Sequence, residues 1–230
     1  MKIQTLFANF VSLLYPELCV ICREPLIDGE KFFCFSCFLK LPRTYYHLIP
    51  ENQAIERLAG KISLEKASSY FYYSKGGIAQ QLIAEIKYKG NRNLGEWIGA
   101  YLANDMISSG FFQGIDYLVP VPLHHSKEKK RGFNQAERIA EGIARITKIP
   151  LEADNVFRMK ANTSQTKKGV FDRWMNTQNL FHLKNPELFN EKHILLIDDV
   201  LTTGSTLESL AQSILKSEGV KISILTLAIT

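Results

Sequence analysis

The sequence predicts an α/β fold: a central, mostly parallel sheet with helices on both faces, preceded by a small module built around four cysteines. Three observations carry this. First, an apolar run from His193 to Ile197 leads into Asp198 and Asp199, then a hydroxyl-rich turn, then Leu207, Leu210, Ala211, Ile214 and Leu215 at helical spacing. That order is a strand, a tight turn and a helix. Second, the same order recurs where Asp116–Val121 leads into a helix behind Phe133. Third, all four cysteines fall between Cys19 and Cys37, as two Cys-x-x-Cys pairs. With 230 residues, 46% of them hydrophobic and 22% charged, the chain can bury one sizeable core and carry a small appendage.

In chain order, Ile3, Leu6, Phe7, Phe10 and Leu14 recur at helical spacing, which predicts an amphipathic helix over Met1 to Tyr15 that docks on the protein or a partner. It lacks the small-residue cleavage site of a signal peptide and the basic face of a membrane-surface helix. No run of eighteen apolar residues exists, so no membrane span is expected and the expected compartment is the cytoplasm. Cys19, Cys22, Cys34 and Cys37 have the spacing of a tetrahedral zinc site, with Pro25, Asp28 and Gly29 turning the chain between the pairs. Two disulfides or a redox pair are the alternatives, but neither an oxidising compartment nor a βαβ context is signalled. Four thiolates leave no open position for water, so the metal would be structural. Lys31, Phe32, Phe33, Phe35 and Phe38 either form the small core beneath it or offer a nucleic-acid surface.

The expected domains are residues 1–40, the N-terminal helix and four-cysteine ribbon; 41–64, a linker with one short helix near Gln53 to Leu58; and 65–230, the α/β domain. Within the last, strands are expected at Lys66–Tyr73, Asp116–Val121, Val156–Met159, His193–Ile197 and Lys221–Ile229. A helix with Ile78, Leu82, Ile83 and Ile86 ends at Lys87-Tyr88-Lys89-Gly90, and a second runs from Leu94 to Ile107. Prolines 120 and 122 stop the second strand. A basic loop, Lys127 to Arg131, follows, and then Asn134 and Glu137 at capping spacing open the next helix. Taken alone, the charge run reads equally as a solvated face or as a holder of a polyanion. The net charge of +5 suits a polyphosphate as well as nucleic acid.

The chemistry sits after the fourth expected strand. Thr202, Thr203, Gly204, Ser205 and Thr206 occupy a helix N-terminus, where backbone N–H groups, hydroxyls and a flexible glycine make a phosphate cradle. Asp198 and Asp199 suit the vicinal hydroxyls of a sugar or a hydrated Mg²⁺. A phosphate about 5 Å from a diol, one helical turn away, describes a ribose 5-phosphate. The Gly-Lys-Ser/Thr of a Walker loop is missing. The plain alternative is a βα turn whose Asp and Thr residues only cap a helix.

This stretch resembles the phosphoribosyl-pyrophosphate (PRPP) motif of type I phosphoribosyltransferases. Together with Lys87-Tyr88-Lys89-Gly90, Val119-Pro-Val-Pro-Leu-His and Arg131-Gly-Phe-Asn-Gln-Ala-Glu, and with the cysteine module in front, it is similar to the ComF-type (GntX-type) phosphoribosyltransferase-like family. That resemblance implies a type I phosphoribosyltransferase domain joined to a structural zinc ribbon. It implies that Asp198 and Asp199 hold the ribose hydroxyls and metal-bound water, that Thr202 to Thr206 hold the 5-phosphate, and that Mg²⁺ accompanies PRPP. Lys87, His124, Arg131 and Lys160 would lie on the pyrophosphate side. Residues 158–176, with Gln165 and Arg173, would be the mobile loop. Lys127 and Lys160 stand where the family commonly has Arg, which keeps charge but loses the bidentate fork. The implied activity is transfer of ribose 5-phosphate with loss of pyrophosphate. The other implied role is a PRPP or nucleotide sensor that binds single-stranded DNA or a DNA-uptake helicase. Linker and ribbon occupy the region where a type I enzyme carries the hood that recognises an acceptor base.

Overall fold

The structure is a computed structural model that describes residues 16–158 and 180–230. Its centre is a four-stranded sheet, β1 (Lys66–Tyr72), β2 (Tyr117–Pro120), β5 (His193–Leu201) and β6 (Lys221–Ile229), in the order β1-β6-β5-β2. All three pairings are parallel. Strands β5 and β6 lie in the middle, and their apolar runs are nearly continuous because both faces are covered. On one face Leu195, Ile197, Leu225 and Leu227 pack with the helices α3 (Ile78–Tyr88), α4 (Arg92–Met106) and α6 (Gln135–Thr147). On the other, Ile194, Leu196, Ile222 and Ile224 pack with α2 (Gln53–Leu58) and α7 (Ser205–Ile214). The expected doubly covered parallel sheet is therefore what forms.

Local chemistry explains the helix starts. Asn52, Asn91 and Asn134 each accept a backbone N–H of their helix's first turn. Helix α6 packs against α4 at two glycines. A Cβ on Gly99 would lie 2.0 Å from the Ile139 carbonyl oxygen, and one on Gly142 2.0 Å from that of Glu96.

Three expectations need correction. Strand β5 does not stop at Ile197 but continues to Leu201, so both carboxylates belong to the strand. The basic run is no loop: His125–Arg131 is a short helix, α5, that Gly132 ends at φ 77°. Strand β3 (Val156–Arg158) does not join the central sheet and instead pairs antiparallel with β4 (Phe181–Leu183). The reason is steric. The place beside β2 is already taken, because Leu118 bonds Pro150 O at 2.9 Å and accepts from Glu152 N at 2.9 Å.

Residues 41–64 carry α2, which Asn52 ties to the sheet by donating to Ala67 O at 3.0 Å. The cysteine module, with a short helix α1 (Phe35–Leu39), packs on α4 through aromatic rings. Phe32 and Phe33 meet Trp97 at 5.7 and 5.6 Å between centroids, and Phe38 meets Tyr101 at 5.2 Å. Those phenylalanines are core, whereas Phe35 is 67% exposed. The helix expected over Met1 to Tyr15 lies outside the described residues.

Gly142→Ala tests the α4–α6 contact. In an open helix this change stabilises by about 1 kcal/mol. Here the added methyl must push two helices apart, so stability should fall by about 2 kcal/mol and the Tm by roughly 4–8 °C in thermal unfolding. A raised Tm would show that the helices do not approach this closely.

Candidate functional site

Asp199 is 7% exposed and held from two sides. Its Oδ2 lies 2.6 Å from Lys87 Nζ on α3 and accepts from Gln135 Nε2 on α6 at 2.7 Å. Gln135 in turn accepts from Arg131 Nη1 at 2.8 Å. The Arg131 guanidinium lies 5.5 Å from the centre of the Tyr88 ring. One chain of contacts thus joins the acidic strand end, the Lys87-Tyr88 helix end and the Arg131-to-Gln135 stretch. Asp198 is half-buried and takes no such cation among the described residues; its Oδ1 accepts from the Asp199 backbone N–H at 2.8 Å. Burial first, and then the neighbouring Asp199 charge, push its carboxyl up to about 7, against the pull of that N–H, Lys87 and Arg158.

The turn after β5 forms as its residues suggest. Gly204 takes φ 81°, and a Cβ there would come within 2.6 Å of Leu58 Cδ2, so glycine is required by both backbone and space. Thr202, Thr203 and Ser205 are exposed, with Thr203 Oγ1 2.9 Å from Ser205 Oγ. From behind, Arg57 donates to Thr202 O and Lys61 to Thr203 O, both at 2.9 Å. These bonds hold two loop carbonyls on the side of α2. Asp198 and residues Thr202 to Leu207 line one small cavity of about 40 Å³ at the N-terminus of α7. A helix N-terminus flanked by hydroxyls can hold an anion, and the carboxylate beside it can take hydroxyl donors or a cation.

The structure brings together Asp198, Asp199, the turn, Lys87 and Arg131. It does not bring His124, whose ring caps α5 by accepting from Ser126 N at 3.3 Å. Lys160, Gln165 and Arg173 lie outside the described residues. Sequence reasoning gave no role to Gln135, although its spacing of four from Arg131 was a signal. Arg57, Leu58 and Lys61 had none, because their contacts with the turn span more than 140 residues.

The four cysteine sulfurs all lie within 4.8 Å of one another and can hold a metal ion. Cys22 Sγ and Cys34 Sγ are 3.6 Å apart. That is far beyond the ~2.05 Å of a disulfide and near the ~3.8 Å edge of a tetrahedron with ~2.3 Å metal–sulfur bonds. Burial and the crowded sulfurs push the Cys37 thiol up to about 12. Burial also acts upward on Cys19, but the backbone N–H groups of Cys34, Cys22 and Ile21 prevail and bring it down to about 6.

The Asp198 environment has a consequence for stability. The folded carboxyl holds its proton up to about pH 7, whereas an unfolded one loses it near 3.8. Stability is therefore lost as pH rises between those values. Asp198→Asn should leave the urea midpoint unchanged below pH 4 and stabilise by about 2 kcal/mol at pH 8. Equal midpoints at pH 8 would show that the carboxyl titrates normally.

With this geometry in place, comparison with known proteins is specific. Residues 129–229 match the family described as phosphoribosyl transferase domain. The chain is 26% identical over 220 residues to the DNA utilization protein YhgH of Escherichia coli (strain K12), covering 89% of this chain and 93% of that one. It is 28% identical over 221 residues to the competence protein ComFC of Bacillus subtilis (strain 168), covering 88% and 86%. A solved glutamine PRPP amidotransferase from B. subtilis aligns with a TM-score of 0.42 at 14% identity, over 57% of this chain and only 25% of that protein's length. The segment built around β5 and α7 thus matches a phosphoribosyl transferase domain, and over most of its length the chain is similar to proteins named for competence and DNA utilization.

Proposed function

We propose that the protein binds PRPP with Mg²⁺ at the C-terminal end of β5 and transfers its ribose 5-phosphate to a nucleophile. The observation that carries this reading is the single cavity shared by Asp198 and the hydroxyl turn at the start of α7. In it the 5-phosphate takes the α7 N-terminus and the hydroxyls of Thr202, Thr203, Ser205 and Thr206. Asp198 and Asp199 accept from the ribose hydroxyls. Lys87 and Arg131 supply positive charge on the pyrophosphate side, consistent with their tie to Asp199. The acidic pair fits Mg²⁺, since a hydrated dication relieves the repulsion that raises Asp198. When bound, the ion supplies charge neutralisation for the departing pyrophosphate. The protein's own part is to fix both ends of the sugar, so that cleavage at the anomeric carbon needs little reorganisation.

The cysteine module fits Zn²⁺, with all four positions filled by Cys19, Cys22, Cys34 and Cys37. Its role is structural, holding the aromatic contact with Trp97 and Tyr101.

A second reading is that the same pocket senses PRPP while the protein acts in DNA uptake with single-stranded DNA or a helicase. It is favoured by helix α5, where Lys127, Lys129 and Lys130 are exposed and Arg131 is half-buried, and by relatives named for competence and DNA utilization. It requires DNA affinity that falls steeply with salt.

Isothermal titration of Mg²⁺–PRPP tests the first reading. Binding should be lost, or weakened at least about tenfold, in the double variant Asp198→Asn with Asp199→Asn, for two charge-assisted contacts are removed. Unchanged affinity would refute the pocket assignment. For the ribbon, elemental analysis should find bound zinc, and a chelator should lower the Tm by several degrees. An equally stable metal-free sample would remove the metal from the account.

A further inference from the structure

The turn after β5 is braced by a segment that the sequence marks only as a linker. Helix α2 lies against one side of the turn, with Leu58 so close that a Cβ on Gly204 would meet its Cδ2 at 2.6 Å. Arg57 Nη1 donates to Thr202 O and Lys61 Nζ, just past the helix, donates to Thr203 O, both at 2.9 Å. The same Nη1 donates to Thr230 Oγ1 at 3.0 Å, beyond the end of β6, which fixes the guanidinium. Helix α2 is itself anchored, because its cap Asn52 donates to Ile49 O at 2.7 Å and to Ala67 O at 3.0 Å. Arg57, Leu58 and Lys61 do not line the cavity that Asp198 shares with the turn. The two cations therefore act on the turn itself and are not walls of the site.

We propose that Arg57 and Lys61 are positioning residues for the phosphate end of the ligand, and that they work by fixing the direction of two peptide planes. The inference rests on the PRPP reading above and adds to it the residues that set the cradle. A trans peptide points its C=O and the N–H that follows in opposite directions, and no described peptide is cis. With the Thr202 carbonyl held by Arg57, the Thr203 N–H faces away from that cation. With the Thr203 carbonyl held by Lys61, the Gly204 N–H faces away in the same manner. Successive N–H groups beside a left-handed residue make a concavity for an anion, and Gly204 stands at φ 81°. The glycine that permits this shape also permits its loss. Glycine accepts either sign of φ, so the Thr203–Gly204 peptide can flip and turn its carbonyl oxygen toward the anion. A phosphomonoester would then meet a partial negative charge in place of a donor. The bond from Lys61 opposes that flip, and the bond from Arg57 opposes it for the peptide before.

The test compares the full chain with the double variant Arg57→Ala with Lys61→Ala by calorimetry. The probes are ribose 5-phosphate and Mg²⁺–PRPP, which carry the 5-phosphate, and Mg²⁺–pyrophosphate, which lacks it. Affinity for the first two should fall at least about tenfold, as for one lost hydrogen bond to a charged group. Affinity for Mg²⁺–pyrophosphate should stay within about twofold. The fall should persist at about 1 M KCl, where the Debye length is ~3 Å, because salt screens charge but not peptide orientation. In NMR spectra the Thr203 and Gly204 amide protons should move downfield on addition of ribose 5-phosphate to the parent, and not in the variant. If the double variant fails to fold by far-UV circular dichroism, Lys61→Met, at an exposed position, is held to the same outcomes. The inference is overturned if parent and variant bind the 5-phosphate probes equally, if the difference vanishes in 1 M KCl, or if all three probes weaken alike. If the parent binds neither 5-phosphate probe, the PRPP reading falls and this inference falls with it.

Discussion

Two carboxylates on adjacent residues at the end of a buried strand repel one another, and the surrounding structure answers that repulsion. Asp199 is met by the Lys87 ammonium and the Gln135 amide, so its charge is paired although it is almost wholly buried. Among the described residues no cation meets Asp198 directly, and burial together with the Asp199 charge holds its proton to about pH 7. An arrangement that costs stability in this way persists where a ligand relieves it. Under the proposed function Mg²⁺–PRPP is such a ligand, its hydroxyls donating to the carboxylates and its cation offsetting their charge.

The same constraint organises the second layer. Asp199 needs a cation from α3 and a donor from α6, so these two helices must be placed accurately on one face of the sheet. Their placement comes from the glycine contacts between α4 and α6 and from the cysteine module on the outer side of α4. The module also reaches α3, where buried Glu85 pairs with Arg23 and, at 2.8 Å, with Lys89. Glu85 and Lys87 are two residues apart on one helix, so the residue that meets the carboxylate and the one that meets the cysteine module share a single rigid element. On the opposite face, α2 does the equivalent for the phosphate turn, with Leu58 against Gly204 and two cations on its carbonyls.

Much of this was legible in the chain. The near-continuous apolar runs of β5 and β6 announced strands buried on both faces, and Lys221–Ile229 forms over the expected residues. The Asn caps, the glycine stop after Lys89 and the cysteine spacing all act locally, within a few residues, where pattern and propensity are decisive. The failures have physical reasons too. Val156–Arg158 has strand character, but whether it extends the main sheet depends on residues 150–152 having taken that edge first. The basic run has poor amphipathicity, yet a capping His124 and the following Gly132 suffice to close two turns of helix.

The order of residues alone determined the chemistry available at each turn: paired acids, a hydroxyl loop with glycine at its one left-handed position, and four thiols within a single short module. These follow from side-chain identity and short spacing, which need no knowledge of the rest of the chain. Only the tertiary structure decided which of the dispersed basic and polar residues reach that chemistry. Lys87, Gln135 and Arg57 arrive from three separate helices, and His124 is spent on a cap. Such meetings depend on how sheet and helices pack through long-range burial, and no local pattern encodes them.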